Sequence, residues 1–168
     1  MEHWLVPLGP GQNDAALDWA ARHAEGRAAL EVIASGLEVA DPRAAVLRAA
    51  SRLQAVRARV PRALHTVPRS LAEELAGSAS VDLVVLGSPC GPLNGIETDR
   101  VLGLLGACRS PVVLVPGDGS GDDAEPLMIA WPAEGGLPPT ELRAAVQSGR
   151  GVVRVERAPV PAPIGARP

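Results

Sequence analysis

Two short aliphatic runs set the terms for this chain. Leu83-Val84-Val85-Leu86 ends at Gly87-Ser88, and Val112-Val113-Leu114-Val115 lies between Pro111 and Pro116. Neither run alternates apolar with polar residues, so each reads as a strand covered on both faces. A Gly/Pro-rich loop and an apolar stretch of helical length lie between them. Strand, loop, helix and returning strand form a β-α-β unit, which requires a parallel sheet with helices packed against it. The loop after the first strand of such a unit is where open α/β sheets hold nucleotides and other anions. Whether this loop can still do so is the functional question.

The rest of the chain repeats the alternation. Strands are expected at 4–8, 29–34, 63–67, 81–86 and 112–115, and helices at 15–25, 42–59, 70–77 and 98–108. Asp41-Pro42 opens the second helix and Pro61 stops it; Gly26 closes the first. The expected fold is an α/β domain over residues 1–116, an open parallel five-stranded sheet flanked by helices on both faces. An acidic, flexible linker at 117–125 follows. A C-terminal β-α-β appendage spans 126–157, with strands at 127–131 and 152–155 and a helix at 139–147. A Pro-rich, disordered tail closes the chain at 158–168. Sliding the chain by 123 residues without a gap places Ala21, Gly26, Arg27 and Val32 on Ala144, Gly149, Arg150 and Val155. The appendage therefore reads as a partial second repeat. One β-α-β unit cannot bury itself, so it must lean on the first copy or on another chain.

Composition removes several chemistries. All 16 basic residues are Arg; Lys, Tyr and Phe are absent. No phosphate-loop Lys, Schiff-base Lys or Tyr acid/base is available, and little aromatic surface exists for stacking bases. A net charge of −3 argues against nucleic acid as a partner. No run is long enough to span a membrane, and the first residues lack a signal-peptide pattern, so a cytoplasmic location is expected. Cys90 and Cys108 form no CxxC, and His3, His23 and His65 stand apart, so no metal ligand set is expected. Arg43, Arg48, Arg52 and Arg59 fall near one face of the second helix and read as a solvated face. Trp4, Trp19 and Trp131 read as packing anchors.

Several blocks together resemble the universal stress protein family. Val6-Pro7-Leu8-Gly9-Pro10-Gly11 is similar to its opening strand and loop, and Ala16-Leu17-Asp18-Trp19-Ala20-Ala21 to its first helix. Ser80 to Ser88 and Ser110 to Pro116 are similar to its fourth and fifth strands. The resemblance covers about residues 3–116 and implies a five-stranded parallel sheet, dimers through the last strand, and roles in stress tolerance and signalling. Many members bind ATP or AMP and others bind none.

The ATP-binding branch carries G-x2-G-x9-G-[S/T] after the fourth strand, and an Asp at the end of the first. The matching positions here are Gly9, Gly87, Ser88, Gly91, Thr98 and Asp99, which form the candidate ligand loop. Each departs from the pattern. Gly9 stands at the Asp position, Gly87 and Gly91 are separated by three residues, and six residues separate Gly91 from Thr98-Asp99. Pro89 and Pro92 bring no N–H. Thr98-Asp99 is expected at the helix start, where Asp99 complements the helix dipole and repels phosphate. Plain capping is the competing role for the pair.

The expectation is a non-enzymatic universal-stress-like protein with a degraded nucleotide site and no cofactor. It acts in stress response or regulation as a homodimer, through the 112–115 strand or the C-terminal appendage, or as an accessory subunit. The alternatives are an ATP- or AMP-binding sensor and, further off, an enzyme of the adenine-nucleotide α/β group.

Overall fold

The computed structural model describes residues 1–9, 14–78, 80–89, 91–117, 125–132, 136–158 and 165. The 117–125 linker and the 158–168 tail fall almost entirely outside them, as does Cys90.

The elements run β1 (Glu2–Leu8), α1 (Asp14–Ala24), β2 (Ala28–Ser35), α2 (Pro42–Ala55), β3 (Arg62–Val67), α3 (Leu71–Gly77), β4 (Leu83–Ser88), α4 (Gly95–Ala107), β5 (Val112–Pro116), β6 (Leu127–Pro132), α5 (Thr140–Ser148) and β7 (Val153–Ala158). The expected α/β architecture is present, but its sheet has seven strands where five were expected, in the order β3-β2-β1-β4-β5-β7-β6. β1 to β5 are mutually parallel; β7 joins β5 antiparallel, and β6 lies parallel to β7. The appendage thus continues the sheet of its own chain. The outer edge of β5, through which a homodimer was expected, is already paired with β7.

Alternate residues of each central strand feed two cores, as the strand period demands. Val84, Leu86, Val112 and Leu114 face α3, α4 and α5, whereas Leu83, Val85, Val113 and Val115 face α1 and α2. Leu142, Val146, Val153 and Val155 of the appendage lie in the first of these cores and are buried. All three Trp side chains are buried; Trp4 stacks on Trp19 with ring centroids 6.1 Å apart, and Trp131 sits against α4.

Two helix boundaries differ from expectation, each for a local reason. α2 ends at Ala55, short of Arg59, because Arg57 adopts φ +52°. The Arg57 and Ala58 N–H groups then donate to the Gln54 and Leu53 carbonyls, a Schellman closure with Arg in the place glycine usually holds. α4 begins at Gly95, three residues before Thr98. Asn94 caps it, accepting from the Glu97 N–H at 2.9 Å, while the Glu97 carboxylate accepts from the Asn94 N–H at 3.1 Å. This reciprocal capping box starts a helix wherever its two members fall.

Candidate functional site

β1 is followed in space by β2 on one side and β4 on the other, so the topological switch point lies between β1 and β4. Their register covers only Trp4↔Leu83 and Leu5↔Val84, whereas β1 pairs β2 from Glu2 to Leu8. Pro7 brings no N–H to this central strand. Gly9 follows β1 directly, and Gly87 and Ser88 end β4, so the fold brings three candidate residues to one end of the sheet. Gly91 belongs to the loop beyond, with φ +78°.

Thr98 and Asp99 do not open α4, contrary to expectation. Thr98 is fully buried one turn in, and its hydroxyl donates to the Asn94 carbonyl at 2.8 Å. Asp99 is exposed and pairs with Arg143 of α5 at 2.8 Å. Its carboxylate therefore faces the appendage. The negative group at the helix start is Glu97, held there by the capping box.

Several N–H donors of the loop and the helix start are taken. Pro89 and Pro92 have none. The Leu93 N–H donates to the Gln147 carbonyl at 2.9 Å, the Asn94 N–H to Glu97, the Glu97 N–H to Asn94, and the Thr98 N–H to the Asn94 carbonyl. Gln147 belongs to the last turn of α5, whose C-terminal end carries the negative side of the helix dipole. Behind it, Gly149 takes the left-handed conformation at φ +61°, and a Cβ there would come within 2.2 Å of the Gly91 carbonyl oxygen. Only glycine permits that approach. The end of α5 is thus pressed into the loop. Asn94, Glu97, Gln147 and Gly149 were not among the expected site residues; the Asn-x-x-Glu spacing was visible in the sequence, whereas the α5 contact depends on tertiary structure.

A cavity of about 100 Å³ remains beside β1, lined by Leu8, Gly9, Asp14, Leu17, Val39, Ala45, Arg48 and Ala49. It adjoins, through Asp14 and Arg48, a wide groove of about 490 Å³ that Leu47, Ser51 and Arg52 also line. Next to it, Arg52 grips Asp18 with two hydrogen bonds of 2.8 and 2.6 Å, and this partner raises its pKa further.

His3 and His65 are not isolated as expected. Their Nε2 atoms flank the Glu31 carboxylate at 2.8 and 3.2 Å. Among the described residues, however, no group of three or more His, Cys, Asp or Glu is arranged to hold a metal ion. At the far end of α4, the Arg157 guanidinium stacks 4.8 Å over Trp131, and its Nε and Nη1, like the Trp131 indole N–H, are buried with no acceptor among the described residues. No described helix is long and apolar enough to cross a membrane.

A doubly wound sheet with its crevice at the β1/β4 switch point defines the class. Solved structures narrow it to one fold. The universal stress protein from Archaeoglobus fulgidus matches with a TM-score of 0.53 at 13% identity, over 68% of this chain and 98% of its own. A universal stress protein in complex with cAMP matches with a TM-score of 0.51 at 21% identity, over 68% of this chain and 95% of its own. No family model and no curated protein matches the sequence. The fold is therefore that of the universal stress proteins, and nearly all of either neighbour is spanned by about two thirds of this chain.

Proposed function

We propose that this chain is a non-enzymatic, universal-stress-like protein that has lost nucleotide binding at its β4–α4 loop and acts in stress response or regulation by association. One observation carries the reading. The α5 terminus and the Asn94–Glu97 box take up the Leu93, Asn94 and Glu97 N–H donors and set a carboxylate and a helix C-terminus against the loop. A phosphate charge about 5 Å from a carboxylate, at an effective dielectric of about 20, meets roughly 3 kcal/mol of repulsion before screening. That corresponds to about a hundredfold in affinity.

Isothermal titration with ATP, AMP and cAMP is expected to show binding weaker than about 100 μM. Near-stoichiometric nucleotide released when the purified protein is denatured would overturn the reading. The cAMP-bound neighbour favours the second reading, a nucleotide sensor. On that reading the same titration saturates at low micromolar ligand.

A further inference from the structure

We infer that Trp131 and Arg157 form a clamp that binds a carboxylate supplied by another molecule. The clamp is separate from the β4–α4 loop. It lies at the end of α4, whereas the loop leads into its start, about 20 Å away along a helix of 13 residues.

The molecule holds its own template for such a clamp. Trp4 of β1 is buried, and the Arg27 guanidinium lies 5.0 Å over its ring. One carboxylate completes this pair. Glu2 Oε2 accepts from the Trp4 indole N–H at 2.7 Å and from Arg27 Nη2 at 3.3 Å. Both donors thereby find an acceptor, and the cation finds a counter-ion.

The second pair repeats the first with no acid beside it. Trp131 and Arg157 are register partners in β6 and β7. Strand alternation sets Arg157 on the face of Val153 and Val155, the face on which Trp131 packs against α4. The guanidinium lies 4.8 Å over the indole ring. Arg157 Nε and Nη1 and Trp131 Nε1 are buried, and no described residue accepts from any of them. Among the described residues, the titratable side chain that acts on this guanidinium is the Cys108 thiol, which burial keeps protonated. Buried donors in native proteins are nearly always paired, so three unpaired donors around one cation point to an acceptor that carries negative charge. The template identifies it as a carboxylate, a group that bridges an indole N–H and a guanidinium. Arg157 is only partly buried, so the acid reaches the pair from solvent.

The competing role for Arg157 is a counter-charge to the C-terminal end of α4, and thermal unfolding of the full chain at neutral pH and fixed ionic strength separates the two. Sodium acetate at about 50 mM is expected to raise the midpoint by about 3 °C relative to sodium chloride. Arg157→Leu is expected to unfold no earlier than the wild type in chloride, because it removes a buried cation that has no partner, and to lose the acetate response. Trp131→Phe keeps the ring and removes the N–H; it should need about tenfold more acetate for the same shift. The blocked peptide acetyl-Gly-Glu-Gly-amide carries the same group on a chain. A larger shift with the peptide supports the clamp and assigns the acid to a protein partner; a larger shift with acetate supports it and assigns a small free acid. A wild type that unfolds alike in chloride, acetate and peptide overturns the inference, as does an Arg157→Leu variant that keeps the acetate response. An Arg157→Leu variant that unfolds well below the wild type in chloride also overturns it, because Arg157 would then be a structural counter-charge.

Discussion

Cys108 caps α4, its thiol donating to the Leu104 carbonyl at 3.2 Å, and no part of it is exposed. Burial pushes the thiol from 9.0 up to about 12, with Arg157 pulling weakly the other way. The folded value is raised, so this group's contribution to stability is complete below about pH 9 and is lost as pH rises toward 12. The chain has no Lys and no Tyr, so among the described side chains Cys108 and the neighbouring Arg157, whose guanidinium is pulled below its ordinary value by burial, are the groups that bear on that window. Thermal midpoints are expected to hold up to about pH 9 and fall above it, and Cys108→Ala should flatten the fall. A Cys108→Ala profile as steep as the wild type's would assign the fall to another group. Residue by residue, the candidate loop was only partly legible. Gly87, Ser88 and Gly91 follow directly from a strand that ends in a turn. Thr98-Asp99 was placed by counting along a family pattern, and the Asn94-x-x-Glu97 spacing, which costs about 1 kcal/mol to remove, set the helix start instead.

At the scale of elements, the two glycines matched by the internal slide do the same local job in different surroundings. Gly26 follows α1 at φ +77° with open space around it, whereas Gly149 ends α5 at φ +61° against the Gly91 carbonyl. Gly26→Ala should lose about 1 kcal/mol for the left-handed backbone alone. Gly149→Ala should lose about 2 kcal/mol or more, because the loop or α5 must also move. Urea unfolding of both variants gives the comparison, and equal losses would show that the α5–loop contact contributes nothing. The β4, α4 and β5 elements were legible because each is an uninterrupted apolar or amphipathic run. The α2 terminus was not, because a Schellman closure on Arg57 lacks the glycine that announces one. The β5·β7 pairing was not legible either, since strand pairing across a linker leaves no local periodic signal.

For the whole molecule, closing β5 moves the open edge outward to β6. Its sequence, Leu127-Met128-Ile129-Ala130-Trp131-Pro132, carries no charge, and Leu127 and Met128 are both about half exposed. Among the described residues no strand pairs its outer side. Pro126 and Pro132 bracket the run, and prolines discourage further pairing at such an edge. Met128→Lys is expected to change stability by less than about 0.5 kcal/mol while slowing aggregation of concentrated protein, followed by light scattering. Unchanged scattering would place the aggregation-prone surface elsewhere. Sequence was enough for the α/β class and for all seven strands as elements; the place of the sixth and seventh in the sheet needed coordinates, because it depends on which edge was free.

Because the strand that closes the sheet is covalently joined to it, its docking is a unimolecular event. A tethered segment of this kind experiences an effective concentration on the order of millimolar, far above that of a dilute protein in solution. The edge therefore stays covered at any expression level, and the fold is insensitive to dilution that would separate an ordinary pair of subunits.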